Sequence, residues 1–387
     1  MKIKNYTILT SGKFHYFEIA KILYERNQLS KIVSGYPWIK LKNELVPKKL
    51  IDSSGYFQII NHFLRKIPKI NLNKLIDTID YINKKKIDYE GSKYLNITDV
   101  LISSAQSGVN TGRKIKEINK IYICDQSSAN IFFEENLIND EFRLLNIDRK
   151  INFHQGMKDR ALKEYDNSNY IMVPSNYVKK TFDKKYHSKI FVNNLGIDIK
   201  KFYPLPINNK NDEFFNIIYI GAISIRKGVH YLIDAFNNLD YSKKKLHLIG
   251  SHVQYDKEFF KRKLNNEKII NYGHVPNIQL NNILNKCDVF VTATLSDGFG
   301  MVVNQALTSG CPVIVTENCG AKEYVKQNNN GFVVPIRNSQ IISDKLTLLL
   351  DDKELLKKIT QNCIKSDNSN TWEKYVNRLD EFISSKI

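Results

Sequence analysis

Three hundred and eighty-seven residues, 42% of them hydrophobic, exceed what one ordinary core encloses and suit two domains of roughly two hundred residues each. With 58 Lys and Arg against 40 Asp and Glu, the formal charge of +18 favours anionic partners: nucleotide sugars, anionic lipids or nucleic acids. Nucleic acid fits worst, because the lysines are dispersed and no recognition helix, zinc finger or aromatic ribonucleoprotein motif is present; a membrane span or signal peptide is excluded by the shortness of every apolar run, so a cytoplasmic protein is expected.

Asn5 to Gly12 reads as a first strand and glycine loop, and the spacing of Phe14, Phe17, Ile19, Ala20, Ile22 and Leu23 predicts a helix after it. Gly12, Lys13 and His15 then lie where a strand hands over to its helix, a place that faces ligands in open α/β sheets; capping and surface roles fit them equally. Residues 38 to 90 mix Lys40, Lys42, Lys48, Lys49, Arg65, Lys66, Lys69 and Lys84 to Lys86 with Trp38, Tyr56, Phe57 and Phe63, broken by Pro47 and Pro68. The favoured reading is short helices with solvated faces over aromatic cores, and contact with an anionic membrane surface is the secondary one.

Asp99 to Ala105 and Lys120 to Gln126 read as buried strands, with Gly108 and Gly112 opening the helix between them. Asn169 to Phe182 reads as strand, proline turn and helix, with Ser175 as the N-cap. A linker is expected from Tyr203 to Asp212, where Pro204, Pro206 and a polar run precede a fresh strand at Phe215. A helix over Val229 to Asn238, a strand ending at Gly250 and another near Lys268 to Gly273 follow, and the spacing of Trp372, Tyr375, Val376, Leu379 and Phe382 predicts a docked terminal helix. The alternation implies an α/β doubly wound architecture. Five cysteines, Cys124, Cys287, Cys311, Cys319 and Cys363, show no metal-ligand spacing and fit a reducing compartment.

Two stretches carry chemistry. After the strand ending at Gly221, Arg226 and Lys227 stand just before Gly228 and a helix, where two cations would neutralise a diphosphate. In SDGFGMVVNQALTSGCPVIVTE, a buried strand from Cys287 to Thr294 delivers Asp297 to the sheet edge, Gly298 and Gly300 permit a sharp turn, and a helix from Met301 to Ser309 points free N–H groups at the same place. Gln305 sits about one turn into that helix and presents a neutral amide.

These stretches resemble family 4 glycosyltransferases, whose pattern is Glu-Gly-Phe-Gly with a second Glu eight residues after the first; Asp297 and Gln305 stand at those positions here. Arg226 and Lys227 match the family's pyrophosphate-contacting Arg-Lys-Gly group. Asn193 to Pro204 resembles its Asn-Gly-Val-Asp linker motif, and further matches are Gly250, the GHVP run with His274 and Val275, and the terminal Trp372 and Glu373.

The resemblance implies a GT-B fold: two Rossmann-like domains facing a cleft, over 1–203 (mainly acceptor-binding) and 204–370 (donor-binding), with 371–387 as a helix returning to the first. It implies a retaining transfer from a nucleoside diphosphate sugar to a glycan or lipid-linked acceptor, in bacterial surface polysaccharide or glycoconjugate synthesis, with no metal or other cofactor. Asp297 would hold the donor sugar, the backbone around Phe299, Gly300, Met301 and Val302 the sugar and phosphate, Gln305 the ribose, and Gly12 would adjoin the phosphates. In the first domain Asp125, Ser127 and Ser128 match a subgroup pattern, Asp125 joining Asp297, Arg226 and Lys227 as the candidate catalytic set; Asn130 takes the pattern's His position on the acceptor side. His154 is either a displaced substitute for that His or, the preferred reading, a surface residue, and Glu164 matches a shared helix position without a catalytic role. A peripheral position on the inner membrane face is the secondary localisation. A nucleotide-sugar-binding module without turnover and a nucleotide-sugar epimerase are the competing readings.

Overall fold

In the computed structural model, residues 4–64, 67, 72–206, 213–253, 256–365 and 370–386 are described. Arg65, Lys66, Pro68 and Lys69 of the basic segment, and 207–212 of the expected linker, lie outside them.

The amino-terminal part alternates β1 (Tyr6–Thr10), α1 (Tyr16–Glu25), β2 (Leu29–Ser34), α2 (Trp38–Leu41), β3 (Ile51–Ser53), α3 (Tyr56–Leu64), α4 (Asn73–Gly91), β4 (Val100–Ser104), α5 (Val109–Glu117), β5 (Ile121–Asp125), α6 (Ile131–Leu144), α7 (Gln155–Asn167), β6 (Tyr170–Val173), α8 (Asn176–Lys180) and β7 (Ile190–Val192). Its seven strands pair in the order β3-β2-β1-β4-β5-β6-β7, all parallel, with Ile8 opposite both Ile32 and Ile102. Every residue of β1 and of β4 is buried, as a strand covered by helices on both faces must be. Ser175 caps α8, its hydroxyl accepting the Val178 N–H at 3.2 Å. At nineteen residues α4 is longer than the short helices read from this segment.

The rest continues as β8 (Phe215–Ile220), α9 (Val229–Asn238), β9 (Lys244–Ile249), α10 (Lys257–Lys263), β10 (Ile269–Gly273), α11 (Asn277–Lys286), β11 (Val289–Thr292), α12 (Met301–Thr308), β12 (Val313–Thr316), β13 (Gly331–Val334), α13 (Ser339–Asp351), α14 (Lys353–Lys365) and α15 (Trp372–Ser384). Six parallel strands run β10-β9-β8-β11-β12-β13. The order reverses direction at β8/β11, as it does at β1/β4 in the first sheet, and crevices of doubly wound sheets form at such points.

The chain divides into two units, one of Met1–Asn136, Arg149–Leu195 and Trp372–Ile387, the other of Leu137–Asp148 and Gly196–Thr371. This differs from the boundaries read above at Thr371, which falls in the second unit, and in two longer stretches. Gly196 to Tyr203 goes with the second unit, where Ile197 bridges Thr371. So does the stretch 137–148, because Glu141, fully buried, accepts hydrogen bonds from His230 Nε2 at 3.0 Å, Tyr231 OH at 2.8 Å and Arg337 Nε at 2.6 Å. Burial alone would raise the Glu141 carboxyl, but these three donors hold it below its ordinary value.

In the first unit, α15 buries Trp372, Tyr375, Val376, Leu379 and Ile383, a helical stripe. Asn193, 1% exposed, donates to the Tyr375 carbonyl at 3.2 Å and accepts from Arg378 at 2.9 Å, so the first Asn of the motif fastens this helix.

Candidate active site

All the chemistry-bearing residues of the second unit lie at the carboxyl end of its sheet. The loops after β8 and β9 run side by side through a bridge between Ile223 and His252, and Gly250 donates its N–H to the Gly273 carbonyl at 2.7 Å. The loops after β11 and β12 do the same through Asp297 and Cys319. Gly221, Gly250, Gly273 and the Asp297 loop therefore share one rim, while His274 is exposed there and Val275 is half-buried.

Lys227 Nζ donates to Asp297 Oδ2 at 2.5 Å, and the two side chains remain 16% and 23% exposed. Arg226 reaches across the same loop, its Nη1 donating to the Ser296 carbonyl at 2.7 Å. Burial would push the Asp297 carboxyl up, but the Lys227 ammonium, then the Arg226 guanidinium and the Phe299 N–H, hold it below its ordinary value. Cys319, buried beside this carboxylate, has its thiol pushed up to about 12, burial being the main cause, and stays a thiol. Gly228 fixes the pair: its φ is +63°, and a Cβ there would lie 1.8 Å from the Ala293 carbonyl oxygen, so no other residue lets the cation loop pack on β11.

Gly300, φ +79°, precedes α12 and brings no capping side chain to it. A Cβ at Gly300 would meet Cys319 Sγ at 2.6 Å. The first turn, with Met301 and Val302 half-buried, leaves the positive end of the helix beside the Asp297 loop. Gln305 lies one turn further, half-buried, and its side-chain amide makes no hydrogen bond among the described residues. Two cations, one carboxylate held ionised and an uncapped helix start form a place for a phosphorylated polyol.

At the carboxyl end of the first unit's sheet, His15 Nε2 meets Asp125 Oδ2 at 2.8 Å, with side chains only 3% and 4% exposed. The His15 ring lies parallel to Trp372, centroids 6.2 Å apart, and Tyr16, buried beside Asp125, has its phenol pushed up by that burial. Ser127 Oγ donates to Asp125 Oδ1 at 3.3 Å; Ser128 is exposed and accepts from Gln126 Nε2 at 3.1 Å. Gly12 is buried, its N–H donating to Thr10 Oγ1 at 3.2 Å. A cavity of about 600 Å³ opens next to Gly12, lined among others by Ser11, Gln58, Asn61, His62, Asp80 and Lys84. Lys84, brought down to about 8 by burial, donates to the Ala105 carbonyl and to Gln106 Oε1 at 2.7 Å. Among the described residues, no three His, Cys, Asp or Glu side chains are grouped to hold a metal ion.

Residues 205–366, which include the whole cation and carboxylate rim, match the family profile described as Glycosyl transferases group 1. Over 350 residues, the chain is 26% identical to an uncharacterized glycosyltransferase of Methanocaldococcus jannaschii, across 86% of this chain and 97% of that protein. The second unit is therefore similar to the group 1 glycosyltransferases.

The chain is also similar to the N,N'-diacetylbacillosaminyl-diphospho-undecaprenol alpha-1,3-N-acetylgalactosaminyltransferase of Campylobacter jejuni, 23% identical across 50% of this chain and 54% of that one. Its fold is that of the GT-B enzymes: the crystal structure of Anabaena HepE in complex with UDP and glucose aligns over 99% of this chain and 100% of that one, with a TM-score of 0.70 at 15% identity.

Three residues of the first unit have structural partners that the sequence did not show. Asp125, 3% exposed, is held by His15 and Ser127 beside the buried Tyr16, so its carboxylate also shapes the first loop. Asn130 caps α6, its Oδ1 accepting the Phe132 N–H at 3.0 Å. His154, half-buried, also has a local structural role: its Nδ1 accepts the Gly156 N–H at 3.1 Å, capping α7, and its ring stacks on Tyr81 with centroids 4.7 Å apart. Glu164, placed on a helix without catalysis, is a buried anchor accepting the N–H groups of Gln106 and Gly108. The His15–Asp125 partnership spans 110 residues of sequence, and only the rim position of His15 hinted at it.

Proposed function

We propose that the protein is a glycosyltransferase that moves a hexose-type sugar from a nucleoside diphosphate donor, held at the rim of the second unit, to a glycan or lipid-linked acceptor, with retention at the anomeric carbon. Arg226 and Lys227 hold the diphosphate together with the first N–H groups of α12, Gln305 takes the ribose hydroxyls, and Asp297 holds the donor sugar or offsets its developing positive charge. The anomeric carbon–phosphate oxygen bond breaks as the bond to the acceptor oxygen forms on the same face, and the departing phosphate takes the acceptor's proton. Catalysis is then positioning plus charge stabilisation, for which this arrangement asks no divalent metal. The observation that carries the reading is Lys227 at 2.5 Å from Asp297, directly beside an uncapped helix start.

The first unit supplies the acceptor pocket, with His15 and Asp125 holding the first loop in shape. The work is done at the inner face of a membrane, in synthesis of a surface glycoconjugate; among the described residues no helix is long and apolar enough to cross a membrane. A panel of UDP, GDP, TDP and ADP sugars tests the reading. One sugar nucleotide should raise the melting temperature and release its nucleoside diphosphate when a lipid-linked acceptor is added; a panel without any stabilisation would contradict it.

A further inference from the structure

The helix α3 has two unlike faces. Gln58, Asn61 and His62 point into the 600 Å³ cavity of the first unit. The opposite face repeats at helical spacing Tyr56, Ile59, Ile60 and Phe63, which are 70%, 40%, 45% and 64% exposed. Only Asn61 of its nine residues is buried, so the apolar stripe faces water while the polar side supplies the buried residue, His62 beside it staying exposed. Such a reversal has a cost in a soluble chain unless another phase covers it.

The neighbourhood states the charge of that phase. Gly55 packs so tightly on Pro37 that a Cβ would lie 2.2 Å from the Pro37 Cα, which brings the start of α3 against the start of α2. There Ile39 is 73% exposed, and Lys40, Lys42, Lys48 and Lys49 are exposed on and just after α2. Lys86 Nζ stands 5.5 Å from the centre of the Tyr56 ring. From 38 to 75 the sequence carries eight Lys and Arg against two acids, and both acids are engaged: Glu44 pairs with Lys13, and Asp52 accepts from Tyr94 at 2.9 Å.

We propose that α3 is a membrane-resting strap, its Tyr56, Ile59, Ile60 and Phe63 stripe entering the interface of an anionic phospholipid bilayer while the flanking lysines meet the headgroups. An apolar stripe rimmed by ammonium groups is what such an interface accepts, and neither part suffices alone. The proposal deepens the membrane placement in the function proposed above and rests on that reading for its purpose. With the outer face of α3 on lipid, the cavity on its inner face receives the head of an acceptor carried by the same membrane, which selects a lipid-linked acceptor over a free glycan.

The test is flotation of the full-length protein with vesicles of phosphatidylcholine alone or mixed with phosphatidylglycerol. The wild type should bind the mixed vesicles about tenfold better than the neutral ones and lose that margin in high salt. The double variant Ile60→Ser, Phe63→Ser should bind them at least about tenfold more weakly, with its melting temperature and its nucleotide binding unchanged. No binding by the wild type, or equal binding by the variant, overturns the strap. So does a wild-type dimer that the variant makes monomeric, since the stripe would then be covered by a second copy. Vesicle binding without any sugar nucleotide response fails the transfer reading and leaves the strap standing.

Discussion

Each of the two sheets carries an ionisable pair at its carboxyl end, His15 with Asp125 in one unit and Lys227 with Asp297 in the other, and the two are treated differently by their surroundings. The first pair is 3% and 4% exposed, closed in by Trp372, Tyr375 and Tyr16; the second is 16% and 23% exposed, beside an uncapped helix and a free amide. A buried pair with its remaining hydrogen bonds satisfied is part of the scaffold, whereas a half-open pair at a helix start still has affinity to offer. Position at a sheet rim therefore nominates a residue, and exposure decides whether it meets a ligand.

The comparison breaks if the closed pair proves to be the reactive one. Asp297→Ala should lower sugar transfer by about a hundredfold or more, roughly 3 kcal/mol of transition-state stabilisation, with only a small change in melting temperature. His15→Ala should do the reverse: a stability loss of about 2–3 kcal/mol in denaturant titration, because Asp125 is left buried without its partner, and unchanged nucleotide affinity in the second unit. Smaller, but specific in sign, is an acid effect. The Asp297 carboxyl is held below its unfolded value, so its contribution to stability is complete above about pH 4 and is lost as pH falls through the lower folded value. Asp297→Asn should flatten that acid limb of the stability profile, and an unaltered limb would show that Lys227 does not favour the ionised form.

Much of this was legible in the chain. The strand before Asp297 and the strand from Cys311 announced themselves as short apolar runs because both faces of a central parallel strand are buried. The glycines around Asp297 and after Lys227 marked the turns for the same steric reason the structure shows at Gly228 and Gly300. The strands β2, β3, β7 and β13 went unread: β2 carries a lysine, β3 and β7 have three residues each, and β3, β7 and β13 lie at sheet edges, where apolar runs shorten. What spacing does not encode is which distant groups meet. His15 with Asp125, Glu141 with Arg337 and Asn193 with Arg378 are tertiary pairings between elements that individually read as loops or helices. Caps went unread in the same way, since Asn130 and His154 each hold a helix start through their side chains.

The open pair is tested most directly by calorimetric titration of UDP and of GDP, UDP being the nucleotide seen in the Anabaena structure, into wild type, Lys227→Ala and Gln305→Glu at neutral pH. One nucleotide should bind the wild type, Lys227→Ala should weaken it at least about tenfold through loss of a charge-assisted contact, and Gln305→Glu should change it less than about threefold. Equal affinity in wild type and Lys227→Ala would contradict the placement of the diphosphate at this rim.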